Sequence, residues 1–83
     1  MPSGPLGNRK SLQTALKHLD QGDWDAAHKI VQSDESATGC WVHGIVHVME
    51  GDLDNARYWY GRAARVFSAD TVQEIEAVKK TLL

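Results

Sequence analysis

GDWDAA (residues 22–27) and GDLDNA (residues 51–56) carry one pattern, Gly-Asp-x-Asp-x-Ala, at an offset of 29 residues. Each copy reads as the joint of a helical hairpin. A glycine adopts positive φ without steric cost, so Gly22 and Gly51 can end the preceding helix. Asp23 and Asp52 then stand where an N-cap accepts from the free N–H groups of the next helix. Asp25 and Asp54 place negative charge in its first turn. Ala27 and Ala56 are small enough to let two helices approach closely.

Working outward, Leu12, Leu16 and Leu19 form an apolar stripe at helical spacing, and Trp41, Ile45 and Val48 repeat it at the same offset. After the joints, Trp24, Ala27 and Val31 form one inner face. Leu53, Ala56, Tyr60, Ala63 and Phe67 form the other, which predicts a helix running to a break near Ser68. A fifth helix is expected from Asp70, its N-cap, with Gln73 as capping-box partner. Its apolar side is Val72, Ile75, Val78 and Leu82, with a Glu76–Lys80 pair outside. No segment alternates with strand period. The expected fold is all-α: two antiparallel helical hairpins plus a C-terminal closing helix. A flexible segment is expected over residues 1–8 and one helical-repeat domain over 9–83.

Composition narrows the function classes. In 83 residues, 42% hydrophobic with three tryptophans, one core can form without a staple. Nine basic against eleven acidic residues give a net charge of -2, which argues against nucleic acid as partner. No apolar run reaches the roughly 20 residues of a membrane span. The single cysteine, Cys40, excludes an internal disulfide and favours a reducing compartment, so a cytoplasmic location is expected. No signal-peptide pattern opens the chain.

GDLDNARYWYGRAA, residues 51–64, resembles the tetratricopeptide repeat family, in which Gly-Asp precedes the second helix and a small residue, an aromatic and another small residue follow. Here these are Ala56, Tyr60 and Ala63, and Gly44 falls where the family has its first-helix glycine. Ala15, Gly22, Asp23 and Ala27 match more loosely. WDAAHKIV (residues 24–31), WVHGIVH (41–47) and EGDLDNARYWYGRA (50–63) together also look like a group of small, mostly bacterial proteins of unknown function. The first resemblance implies a module that binds a protein or peptide, or its own copy. The second adds no activity.

Chemistry-bearing residues concentrate in CWVHGIVHVME, residues 40–50. Cys40, His43, His47 and Glu50 fall within about 80° of a helical wheel. Two histidines at i, i+4 can chelate one ion. Glu50 lies too far along the helix from Cys40 for both to share it, so the metal alternative is Cys40, His43 and His47. The apolar stripes, however, turn His43 and His47 outward or sideways. His18 stands one repeat before His47, where repeat equivalence either sets the two side by side on a groove strip or simply reproduces a residue type. His28 is expected to pack on the Trp24 ring. Arg57, Tyr58, Arg62 and Arg65 form a candidate partner face, with cation–π contact as the alternative use. Trp59 and Val66 are expected under the closing helix, or in a self-association patch if it leaves them bare. With no nucleophile–base pair or phosphate loop, neither catalysis nor a cofactor is expected. The leading reading is an interaction or self-association module, and the alternative is a metal-binding protein using His43 and His47.

Overall fold

The computed structural model describes residues 8–83. It contains five helices, α1 (Arg9–Asp20), α2 (Trp24–Val31), α3 (Ala37–Glu50), α4 (Leu53–Arg62) and α5 (Thr71–Thr81), and no strand among the described residues. Residues 1–7 of the segment expected to be flexible lie outside that range. Asn8, its last residue, is the N-cap of α1: its side chain accepts from the Ser11 N–H at 3.1 Å.

Every helix begins on a capping side chain, which satisfies a backbone N–H that no helical carbonyl can reach. Asp23 accepts from the Ala26 N–H (3.1 Å), Ser36 from Gly39 (2.9 Å), Asp52 from Asn55 (3.3 Å) and Asp70 from Gln73 (3.1 Å). The duplicated joints also end their helices alike. Gly22 and Gly51 sit at φ 76° and 92°. Asp23 N–H donates to the His18 carbonyl at 2.8 Å, and Asp52 N–H to the His47 carbonyl at 2.9 Å. These are the six-to-one bonds of a Schellman ending.

The two hairpins pair α1 with α2 and α3 with α4. Helix α2 packs on α3, and α5 packs against α3 and α1. Helix α3 therefore touches all four others, and every residue from Thr38 to His47 is buried. It has no solvent face, so the apolar stripe read from the sequence does not tell inside from outside on it. Helices α3 and α4 approach closely at Gly44: a Cβ there would stand 2.5 Å from the Tyr60 ring and 3.3 Å from the Ala56 carbonyl oxygen.

Three expectations about elements change. Helix α4 stops at Arg62, not near Ser68, because Ala64 takes the left-handed conformation (φ 58°). A third Schellman pair forms there, Ala64 N–H to the Gly61 carbonyl and Arg65 N–H to that of Tyr60, both at 3.0 Å. Ala63 and Phe67 thus reach the core from the connection. Val72 is 75% exposed, because α5 is held by Ile75, Val78 and Leu82. Glu76 pairs with Lys79 (3.2 Å), one residue earlier than Lys80, and Lys79 also binds Asp20 of α1 (2.8 Å). Glu74 ties α5 to the second hairpin, accepting from Tyr60 Oη at 2.7 Å and Trp41 Nε1 at 3.1 Å.

Candidate functional site

The fold brings three imidazoles together from two helices. His43 and His47 lie one turn apart on α3, and His28 comes from α2. One ligand nitrogen of each lies within 4.8 Å of the others. The rings of His28 and His43 meet edge-on at 4.9 Å, and those of His28 and His47 at 5.3 Å. His43 and His47 stack at 4.9 Å. Small residues make the assembly possible. Ala27, fully buried, precedes His28 on α2, and α2 packs on α3. The tight α3–α4 contact at Gly44 brings Trp59 flat onto His43, with centroids 3.8 Å apart and planes 10° from parallel.

His43 and His47 are thus buried, 4% and 7% exposed, and not turned outward or sideways. The reason is the position of α3: α2 and α4 cover the faces that a two-helix reading leaves to solvent. His28 packs on the other two histidines and not on the Trp24 ring. It is half-buried, so it is the member of the cluster that solvent reaches.

Burial holds His43 neutral. Desolvation first, then the neighbouring His47 and His28, then Arg62, lower its pKa from 6.5 to about 4. Its Nδ1 is buried without a hydrogen-bond partner, the one such side-chain atom among the described residues. An unsatisfied buried polar atom costs about 1–3 kcal/mol. A hydrogen-bonding core explains most buried histidines and does not explain this one. Around it, His47 Nδ1 lies 2.7 Å from Glu50 Oε1.

Cys40 does not join the set. Its thiol donates to the Glu35 carbonyl at 3.9 Å, and burial raises its pKa. Seven residues of helix separate it from His47, a rise of roughly 10 Å, which is why the third imidazole comes from another helix. His18, in the last turn of α1, is not among the grouped imidazoles. The signal that could have found His28 is its neighbour: His28 follows the buried Ala27, as His43 precedes Gly44, the small residue of the close α3–α4 contact.

The arginine face is largely spent within the molecule. Arg62 lies over Trp59 (5.2 Å) and Tyr58 (5.9 Å), and donates to Tyr58 Oη at 3.4 Å. Arg57 lies over Phe67 at 4.8 Å, and Arg65 over Trp41 at 3.4 Å. Trp59 lies under its own histidine and arginine, away from α5, while Val66 is 92% exposed.

Three imidazole donors, one of them open to solvent, can hold a transition ion of intermediate softness such as Zn²⁺, Co²⁺, Ni²⁺ or Cu²⁺. A tetrahedral zinc ion with nitrogens at about 2.0–2.1 Å holds them roughly 3.4 Å apart, so the imidazoles need to close by at most about 1.4 Å. Comparison of the chain with protein-family models, with curated proteins and with solved structures returns no match.

Proposed function

We propose that this protein is a small helical metal-binding module that holds one divalent transition ion between His28, His43 and His47. The observation that carries the reading is the convergence of three imidazoles, one with a buried nitrogen that has no partner. Three protein ligands leave at least one coordination position for water or an exogenous ligand. No oxygen donor lies among the three, which disfavours Mg²⁺ and Ca²⁺.

The test is titration of chelator-treated protein with Co²⁺, read by visible absorption, and with Zn²⁺ by competition. One ion per chain is expected, with at least tenfold weaker binding in His28→Ala, His43→Phe and His47→Ala. Cys40→Ala should bind as the wild type does. Absence of stoichiometric binding, or loss of binding on replacing Cys40, overturns the assignment.

A separate observation favours a second reading, a protein-binding or self-association module of the kind the tetratricopeptide resemblance implies. Helix α4 packs along α3, and Leu53, Tyr58 and Val66 on it and its exit remain 41%, 56% and 92% exposed. A protein, a peptide or a second copy would cover them. Sedimentation tests the last of these: a strict monomer at high concentration removes self-association.

A further inference from the structure

We infer that Glu50 is the residue that orients His47 toward the ion, an inference that rests on the metal reading above. A histidine that binds a metal through one nitrogen needs its other N–H held by an acceptor, which fixes both tautomer and ring angle. Among the described residues His47 is the member of the trio with a carboxylate partner: Glu50 Oε1 stands 2.7 Å from its Nδ1. A carboxylate accepts and does not donate, so the proton of this contact is on Nδ1, which leaves Nε2 as the nitrogen to meet the ion.

The geometry is built into the end of α3. His47 and Glu50 are three residues apart, which puts them on one helix face. The His47 carbonyl accepts from both the Gly51 and Asp52 N–H groups, at 3.1 and 2.9 Å. The last turn is therefore pinned just where Glu50 must reach back. The His47 side chain is 8% exposed and that of Glu50 36%, so the imidazole lies inside while its carboxylate stands at the surface. The charge matters as well. Three neutral imidazoles leave an ion's two positive charges uncompensated, and an anion behind one of them raises that ring's donor strength. Glu50 and Asp52 also cluster with His47 on its outer side. Asp52, however, is committed to capping α4 and both carboxylates are exposed, so that group is not assigned an ion of its own.

Two measurements test the role. Long-range ¹⁵N NMR of the metal-free protein at mildly alkaline pH reads the His47 tautomer whether or not metal binds. Co²⁺ and Zn²⁺ titrations then compare wild type with Glu50→Ala, which removes acceptor and charge, and Glu50→Gln, which keeps an acceptor oxygen. The wild type and Glu50→Gln should show the Nδ1–H form, and Glu50→Ala should shift toward Nε2–H. Affinity should fall about 10–100-fold in Glu50→Ala, with Glu50→Gln between the two, while circular dichroism shows the same helix content in all three. An Nε2–H tautomer in the wild type, or unchanged affinity in Glu50→Ala, overturns the role of Glu50 and leaves the three-histidine site standing. No binding by the wild type overturns the site, and the role of Glu50 toward an ion with it.

Discussion

His43 gives the residue scale its sharpest expectation. Unfolded, it takes up a proton near pH 6.5; folded, it resists until about pH 4. Across that window the unfolded chain binds the proton and the folded chain does not, so stability drops as pH falls. Its contribution is intact above about pH 6.5 and lost by about pH 4, a difference of about 3 kcal/mol. Urea titrations of metal-free protein across that range should show the drop, and His43→Phe, which keeps a ring on Trp59, should flatten it. Superimposable profiles for the two proteins would refute the assignment. Ala64 is the second such residue. Its left-handed backbone costs a β-carbon-bearing residue about 1–2 kcal/mol, partly offset by the chain entropy that glycine would lose on folding. Ala64→Gly should therefore raise stability by up to about 1 kcal/mol. A clear loss in urea melts would show that the methyl group contributes more than its exposure suggests.

At the scale of elements, the decisive contact is α3 on α4. Gly44 and Ala56 let the helices close, and that closure stacks Trp59 on His43. Gly44→Ala would drive a methyl group to 2.5 Å from the Tyr60 ring. Ala56 is wholly buried, and Ala56→Leu would wedge the same pair apart. Each should cost about 1–3 kcal/mol in urea melts. If the histidine cluster depends on this closure, both variants should also weaken Co²⁺ binding. Full affinity in a destabilised Gly44→Ala would show that α2 and α3 suffice. The tether from α5 behaves differently. Glu74 satisfies Tyr60 and Trp41 at once, and its carboxylate, after burial itself, pushes the Tyr60 phenol well above its ordinary pKa. Glu74→Ala leaves two buried donors without their acceptor and should loosen α5 without touching the histidines.

For the whole molecule, the core of both hairpins and α5 forms one cluster that includes Leu12, Leu16, Val31, Ile45, Tyr60 and Val78. That core and five capped helices should fold without an ion. Chelator-treated protein should keep its helical circular dichroism and melt cooperatively. Added Zn²⁺ should raise the melting temperature through linkage, worth about 2.7 kcal/mol when the free ion is a hundred times its Kd. Collapse of the helical signal on chelation would instead mark the ion as part of the fold. Among the described residues no helix is long and apolar enough to cross a membrane.

The amino-acid sequence by itself determined where helices start and where most of them stop. Asp23, Asp52 and Asp70 cap as their positions imply, and Gly22 and Gly51 turn the chain. Those interactions close within three to five residues, so local chemistry suffices. It also determined that His43 and His47 share a face, since helical spacing alone requires it. Only the tertiary structure decided that this face is inside. Helix α3 carries an apolar stripe but is covered on every side, and a stripe marks the inner face only when the other face meets water. Tertiary packing also brought His28 to the cluster from another helix, fifteen residues before His43, and left Cys40, two turns from His47 along α3, outside it. It placed Trp59 on His43 and α5 across α3 and α1. Each of these depends on which helices are neighbours in space, and no spacing along the chain encodes that directly.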